Sequence, residues 1–262
     1  MRTFGIDKYG ASLRAMGRPE PVVGEHDVLV EVHAASVNQL DLKIASGEFK
    51  RILRYPMPLA LGHDLAGAVT EVGTKVTHFA AGDIVYARPR DGRIGTFAER
   101  IAVAEDDLAL APSSVSATEA ASLPLAALTA WQALVERGGV HPGQKVLIHA
   151  GAGGVGSIAI QLARHLGASV ATTASAKNAD LVRRLGADTV IDYRTEDFEQ
   201  HLTGYDLVLD SLAGHNLEKS LRVLRPGGKA IGISGPPTPD FARAAGVSLP
   251  LRGGHRAECE GP

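Results

Sequence analysis

Short apolar runs of the β type, separated by Gly, Pro and Asp, fill the first hundred residues of the chain. Four of them stand out: VLVEV at residues 28–32, LAGAVTEV at 65–72, DIVY at 83–86 and AERIAV at 98–103. Runs of this length that are rich in Val and Ile and bounded by turn residues are typical of strands. The pattern predicts a compact β-rich domain over residues 1–120.

The pattern changes at Ala117, where Ala and Leu recur at helical spacing. This spacing places Leu123, Leu125, Leu128, Trp131 and Leu134 on one predicted packed face. We take this helix as the boundary of a second domain over residues 121–247.

Strand-like and helix-like segments alternate in that second domain. Predicted strands lie at residues 146–150, 169–173, 189–191, 207–210 and 229–233, and predicted helices at 155–166, 179–185 and 217–224. Such alternation indicates an α/β fold with a parallel sheet and crossover helices. The five strands are one short of the six in the full doubly wound arrangement. Residues 248–262 form an atypical tail in which no sixth strand is expected.

Composition and charge argue against several classes of protein. The formal net charge of −2 over 262 residues argues against a nucleic-acid-binding surface. The single cysteine, Cys259, excludes a disulfide framework and is typical of a reducing compartment. Because the start lacks a signal-peptide pattern and no apolar run reaches the length of a membrane span, we expect a cytoplasmic protein without membrane association.

A glycine-rich turn is the strongest functional motif. Gly151, Gly153 and Gly156 form G-x-G-x-x-G directly after an apolar strand and before a helix, and Ala152, Gly154 and Val155 fill the positions between them. Missing side chains let backbone N–H groups approach a pyrophosphate, and a helix N-terminus favours its negative charge. A βα turn without a ligand is the alternative.

The residues after the next strand favour NADPH over NADH. An NAD site usually carries Asp or Glu roughly twenty residues after the first glycine, where it binds the ribose 2′-hydroxyl. Residues 169–176 contain no acid, and Ser175 and Lys177 instead supply a hydroxyl and a cation that suit a 2′-phosphate. A solvated lysine at a helix start is the alternative for Lys177.

Several separate motifs resemble one enzyme superfamily. Residues 143–164 (GQKVLIHAGAGGVGSIAIQLAR) match the quinone oxidoreductase signature, and residues 62–76 (GHDLAGAVTEVGTKV) are similar to a G-H-E-x-x-G segment with Asp64 in place of Glu. The segments VNQLDLKIASGEFK and VLDSLAG resemble the same group. The chain is thereby identified, over about residues 1–240, as a member of the medium-chain dehydrogenase/reductase superfamily. Its zinc-free quinone and alkenal/one reductases are the most similar group.

This resemblance implies a GroES-like catalytic domain followed by a Rossmann domain, with the active site between them. In zinc-dependent relatives a Cys stands at the position of Asn38, a His at His63 and a further Cys within residues 123–126, and only His63 is retained here. Residues 83–99 also lack the cysteines of the structural zinc lobe. Since zinc needs three or four ligands, we expect no metal and interpret His63 as a packed or hydrogen-bonded core residue.

Without a metal, the substrate carbonyl needs hydrogen-bond donors for the negative charge that hydride transfer creates on its oxygen. The resemblance assigns this catalytic region to Asn38, Asp41 and Lys43, where Lys43 either donates to that oxygen or holds the nicotinamide ribose. A merely polar loop is the alternative for Asn38 and Lys43. It places Tyr193 near the 2′-phosphate, a buried structural tyrosine being the alternative. Further cofactor-binding positions implied by the resemblance are Thr129, Leu212, Ile233 and Ser234.

The resemblance breaks down at the end of the chain. Family members continue with a sixth Rossmann strand and a segment that returns to the catalytic domain, so we interpret residues 248–262 as the tail of a C-terminally truncated chain. The leading hypothesis is a zinc-free, NADPH-dependent reductase of small quinones or α,β-unsaturated carbonyls, with a homodimer implied by the resemblance. The alternatives are a catalytically inactive NADPH-binding protein, an enoyl-thioester reductase and a zinc alcohol dehydrogenase.

Overall fold

The chain divides after Leu125. In a computed structural model that describes residues 1–235 and the backbone of 257–260, the two compact units are Met1–Leu125 and Ala126–Pro262. Most of the tail expected from the sequence, residues 248–256 and 261–262, lies outside the described residues.

The first unit contains two antiparallel sheets. Its strands are β1 (Arg2–Ile6), β2 (Arg14–Gly17), β3 (Asp27–Ser36), β4 (Leu59–Ala60), β5 (Asp64–Val72), β6 (Ile84–Ala87), β7 (Arg100–Ala104) and β8 (Leu108–Leu110). One sheet has the order β2-β1-β4 and the other β7-β3-β5-β6-β8. All four strands predicted for this unit are confirmed, whereas β1, β2, β4 and β8 were not predicted.

Cross-strand pairing builds the core of the larger sheet. Val28 lies opposite Val103, and Val30 lies opposite both Ile101 and Val69. These valines and isoleucines are buried on one face, as β-branched side chains in adjacent strands pack well against each other. The unit also has helices α1 (Gln39–Ser46) and α2 (Ala117–Ala121) and short 3₁₀ turns at Asp91–Arg93 and Glu105–Asp107.

The second unit is built on one sheet with helical crossovers. Its strands are β9 (Lys145–Ile148), β10 (Ser169–Ala174), β11 (Thr189–Asp192), β12 (Tyr205–Asp210), β13 (Leu224–Gly232) and β14 (Ala257–Glu260). Its crossover helices are α4 (Gly154–His165), α5 (Ala179–Leu185), α6 (Phe198–His201) and α7 (His215–Leu221), and a 3₁₀ turn spans Ala176–Asn178. The order β11-β10-β9-β12-β13-β14 places β9 where the strand order reverses. Ligands of such sheets bind beside the carboxyl ends of the strands at this switch point. The five expected strands, all parallel, and the α/β fold class are confirmed.

The expectation that no strand follows residue 247 is wrong for Ala257–Glu260. This segment, β14, pairs antiparallel with β13, with Lys229 opposite Glu260 and Gly232 opposite Ala257. An edge strand offers unpaired N–H and C=O groups to any extended segment, so pairing there requires no alternating side-chain pattern. A four-residue run without such a pattern gives no strand signal in the sequence.

The predicted packed face near the domain boundary is also partly wrong. Helix α3 spans Pro124–Trp131 and continues as a π-helical turn over Gln132–Arg137. Leu128 and Trp131 are each 47% exposed, while Leu134 is fully buried along with the small residues Ala126, Ala130 and Ala133. The buried positions 126, 130, 133 and 134 follow the regular spacing of a helix. Alanines therefore form most of the buried face, and a prediction that follows the large apolar residues misplaces it.

Candidate functional site

The glycines of the turn after β9 have different local surroundings. A Cβ on Gly151 would lie 2.1 Å from Thr172 Oγ1, and one on Gly156 would lie 2.3 Å from the Ala150 carbonyl oxygen. A Cβ on Gly154, the first residue of α4, would meet no atom within 4 Å. Gly151 and Gly156 therefore allow close internal packing, and Gly154 leaves the space in front of the helix open. This arrangement fits a pyrophosphate bound at a helix N-terminus.

The flanking residues fix this turn to the sheet. Ala152 and Val155 pack against the main core of the unit, while Gly153 and Gly154 are exposed. Ala150 has a φ of +52°, in the left-handed region that disfavours side chains, and its N–H donates to Thr173 Oγ1 at 3.1 Å. A backbone held in this region beside a ligand-binding edge is the kind of local strain found at functional sites.

The predicted 2′-phosphate residues follow neighbouring strands. Ala174 pairs with Asp192 between β10 and β11, so Ser175 and Tyr193 follow those strands at the same edge. Ser175 is buried, Lys177 is exposed and Tyr193 is 59% exposed. The alternative of a buried structural tyrosine is therefore wrong. A hydroxyl, an ammonium group and a phenol at one edge suit a phosphate.

Two further residues at this edge, Asp192 and Arg194, were not predicted from the sequence. The Arg194 guanidinium lies 5.9 Å from the centroid of the Tyr193 ring. The Asp192 carboxylate accepts hydrogen bonds from the N–H groups of Ala176 at 3.2 Å and Arg194 at 3.1 Å. An acid thus holds the loop that follows β10, but the next strand contributes it. In the sequence, the run IDYR at residues 191–194 was the signal that could have indicated these two residues.

Leu212, Ile233 and Ser234 lie at the carboxyl ends of β12 and β13. Asp210 organises this region, because its Oδ1 accepts from the Leu212 N–H at 2.9 Å and its carbonyl accepts from the Ile233 N–H at 2.9 Å. The Ser234 hydroxyl donates to the Ser211 carbonyl. Thr129 is a half-buried residue of α3. The structure therefore brings together the three predicted residues that follow β12 and β13.

A polar cluster in the first unit contains Asn38 and Asp41. Asn38 precedes α1, and its Nδ2 donates to Asp64 Oδ2 at 2.9 Å and contacts Ser36 Oγ at 3.4 Å. Burial raises the pKa of Asp64, against the lowering effect of bonds from Asn38, from Ser36 and from the Leu125 N–H. Asn38 is half-buried, so its amide combines an internal anchor with partial access to solvent.

Asp41 faces the interior. It is 2% exposed, and its two oxygens lie 2.6 Å from His63 Nδ1 and 2.7 Å from the Asn38 N–H that donates to it. His63 is fully buried and hydrogen-bonded, which confirms the interpretation of a core histidine. Its Nε2 makes no hydrogen bond within the described part of the chain. The observed role of Asp41 is to orient its neighbours, and its catalytic role stays a prediction.

Lys43 lies in the second half of α1. Its ammonium group is 3.2 Å from Glu48 Oε1 and 5.5 Å from the centroid of the Phe49 ring. Four residues of the chain separate it from Asn38, which is the extended residue before the helix. The structure shows an ion pair for Lys43, and its predicted role at the substrate remains a prediction.

No group of three or more His, Cys, Asp or Glu side chains among the described residues is arranged to hold a metal ion. None of the helices within residues 1–235 combines the length and the apolar character needed to cross a membrane.

Comparison with known proteins identifies the family. Residues 24–113 match the family described as alcohol dehydrogenase GroES-like domain, and residues 154–249 match the family described as zinc-binding dehydrogenase. The NADPH-dependent alkenal/one oxidoreductase of Arabidopsis thaliana chloroplasts is 42% identical over 227 residues, which cover 84% of this chain and 58% of that relative.

Solved structures agree with this assignment. The quinone oxidoreductase of Coxiella burnetii is 37% identical with a TM-score of 0.79, covering 87% of this chain and 74% of that one. The Escherichia coli quinone oxidoreductase complexed with NADPH is 32% identical with a TM-score of 0.78, covering 87% and 71%.

The chain spans about three fifths of the length of the curated relatives it matches. Both family models and the solved relatives nevertheless assign the same architecture, which the two units of this structure show directly. The chain belongs to the medium-chain dehydrogenase/reductase superfamily and is similar to its quinone and alkenal/one oxidoreductases.

Proposed function

We propose that this protein is an NADPH-dependent oxidoreductase that transfers hydride to quinones or α,β-unsaturated carbonyl compounds without zinc. The observation that carries the proposal is the turn after β9, where open space in front of Gly154 lies at the switch point of the sheet. The named activity of the Arabidopsis relative and the NADPH complex of the E. coli structure support it.

The second unit supplies the cofactor-binding groups in this proposal. N–H groups at the start of α4 bind the pyrophosphate, and the space beside Gly154 accommodates it. Ser175, Lys177 and Tyr193 bind the 2′-phosphate, the charged Lys177 contributing most because charge-assisted hydrogen bonds are the stronger ones. When bound, NADPH supplies the hydride for the reduction.

The first unit supplies the groups that act on the substrate. Hydride transfer to an enone or a quinone leaves negative charge on oxygen, which a preorganised donor stabilises. The Asn38 amide is anchored through Asp64. Among the described residues its second N–H makes only the 3.4 Å contact with Ser36, so it is able to donate to that oxygen. We assign Lys43 to the same oxygen as a second, cationic donor.

The residue at one position that binds zinc in zinc-dependent relatives supports the proposed zinc independence. Asn38 stands where zinc-dependent relatives carry a cysteine, and an amide is a poor partner for zinc compared with a thiolate. A homodimer and a cytoplasmic location stay predictions. Light scattering on the purified chain would measure whether it forms the homodimer.

Steady-state reduction of a simple quinone and a short enone, followed by nicotinamide absorbance, tests the function. We expect turnover that prefers NADPH to NADH and is unaffected by a metal chelator. Loss of activity with the chelator would refute zinc independence. Tight NADPH binding without turnover of either substrate would instead indicate a binding protein.

A further inference from the structure

Two turns of the second unit share an unusual backbone conformation. Ala150 (φ +52°) and Ala213 (φ +63°) are the only non-glycine residues with positive φ in the described part of the chain. One follows β9 and the other follows β12, and these parallel strands are direct neighbours at the switch point. Both strained turns therefore lie at the edge assigned above to the cofactor.

Buried polar side chains lead inward from each turn. On the β9 side the Ala150 N–H donates to Thr173 Oγ1, which lies 3.1 Å from His149 Nδ1. On the β12 side the Ala213 N–H donates to Asp210 Oδ1 at 2.6 Å, and Asn216 Nδ2 donates to Asp210 Oδ2 at 2.6 Å. Each turn is thus held by a side chain beneath it.

Ser220 joins the two halves. Its hydroxyl lies 2.9 Å from His149 Nε2 and donates to the Asn216 carbonyl at 2.8 Å. The hydrogen-bonded series Thr173, His149, Ser220, Asn216 and Asp210, here called the His149 chain, therefore runs without a gap from Ala150 to Ala213. Thr173, His149, Ser220 and Asp210 are each at most 2% exposed.

The donors and acceptors of this chain are matched when His149 is neutral and protonated on Nε2. With the Ser220 hydroxyl donating to the Asn216 carbonyl, Ser220 accepts the Nε2–H of His149. Thr173 Oγ1 already accepts from the Ala150 N–H, so its own hydrogen is free to donate to an unprotonated Nδ1. Every group is satisfied when His149 is neutral, and burial, which lowers the pKa of His149 to about 4, keeps it neutral.

We propose that His149 is a positioning residue that couples the two cofactor-binding turns through Ser220. A buried, fully satisfied polar network favours a single arrangement of the groups it joins. The His149 chain then fixes the turn before α4 and the turn before α7 relative to each other before the cofactor binds. This inference rests on the proposed function, since it concerns NADPH affinity.

Paired substitutions in the full chain test the coupling. Thr173→Val and Ser220→Ala each remove a hydroxyl of the chain, and we expect each to raise the Kd for NADP⁺ about fivefold, the effect of one net hydrogen bond. Thr173→Ser keeps the hydroxyl and should restore the wild-type Kd. Val182→Ala, in the same core but without a polar group, controls for lost stability and should leave the Kd unchanged.

The double variant separates coupling from independent effects. If both hydroxyls act through His149, Thr173→Val with Ser220→Ala should weaken binding little more than either change alone. The proposal would be overturned if the Kd increase of the double variant equals the product of the two single increases. It would also be overturned if the Kd rises in proportion to lost thermal stability, as judged against Val182→Ala.

A spectroscopic measurement gives a second, independent readout. In ¹⁵N NMR spectra we expect the His149 ring to show the neutral tautomer protonated on Nε2, and its signals to shift when NADP⁺ binds. An unshifted His149 at saturating NADP⁺ would overturn the coupling alone. A wild-type chain that does not bind NADP⁺ would overturn the proposed function and this inference with it.

Discussion

Single glycines of the turn after β9 are expected to respond in opposite ways. Gly154→Ala places a methyl group in open space, so the fold should tolerate it, while NADPH affinity should fall about tenfold because the pyrophosphate loses its close approach. Gly156→Ala drives its Cβ against the Ala150 carbonyl and should destabilise the unit by about 2 kcal/mol. Urea unfolding and cofactor titration of both variants measure these effects.

The opposite result for either glycine variant would contradict this interpretation of the turn. Wild-type NADPH affinity in Gly154→Ala would place the pyrophosphate elsewhere, and wild-type stability in Gly156→Ala would mean that the turn relaxes around the new methyl group.

His149 should make stability depend on pH below neutrality. Its pKa is lowered by burial from 6.5 to about 4, only partly opposed by the charge of Asp210. Between these values the unfolded chain binds a proton that the folded chain does not, so stability is complete above pH 6.5 and decreases as the pH falls to about 4. The difference corresponds to about 3 kcal/mol.

His149→Asn isolates this contribution. Carboxylates titrate in the same pH range in both proteins, so the difference between their urea-unfolding free energies cancels most of that background. We expect the variant to lose less stability than the wild type between pH 7 and pH 4.5. Parallel curves would show that His149 accepts its proton in the folded state.

The sequence predicts the residue-level site wherever a residue follows a strand. Ser175 was predicted from its position after a strand and Tyr193 from the family resemblance, and the two fall at one edge because parallel strands end together. The bond from the Ala176 N–H to Asp192 depends on the register between β10 and β11, which no local spacing encodes. The same holds for Asp41 and His63, which lie 22 positions apart in the chain.

At the scale of elements, the loop after β10 should determine cofactor choice. Lys177→Ala is expected to weaken NADPH binding about tenfold and to leave NADH binding unchanged, since only NADPH carries the 2′-phosphate. Lys145→Ala is a matched control, because Lys145 is also exposed but begins β9 at the opposite end of the sheet. Equal losses for both cofactors would assign Lys177 to another part of the site.

Strands and helices with strong patterns were predictable, and the weakly patterned ones were not. The segment 179–185 coincides with α5, and the predicted helix at 155–166 differs from α4 by one residue at each end. Strands β4 and β8 have two and three residues, too few for alternation to show. The face of α3 was misjudged because the prediction assigned the large apolar residues to the buried face, which is formed mostly by alanines.

At the scale of the whole molecule, two units with separate sheets were expected from the change of pattern near residue 117. Each buried apolar cluster of the described residues falls within one unit, for example Val28 to Val103 in the first and Ala130 to Ile231 in the second. Each unit therefore has buried apolar clusters of its own. A ligand that contacts mainly the second unit should stabilise that unit most.

Trp131 offers a probe for this behaviour. It is the single tryptophan of the chain and lies in the second unit, so its fluorescence reports the unfolding of that unit. With NADP⁺ at one hundred times its Kd, binding should stabilise the folded unit by about 2.7 kcal/mol and raise the urea midpoint that Trp131 reports. NADPH is avoided here because its own absorbance overlaps the emission.

Gly154→Ala supplies the control for this experiment. The variant keeps the core and Trp131, so its midpoint without ligand should match the wild type, while its response to the same NADP⁺ concentration should be smaller. An equal response would show that stabilisation does not pass through the turn after β9. If NADP⁺ does not change the urea midpoint of the wild type, the proposed cofactor binding is wrong, although the sheet order still establishes the Rossmann architecture.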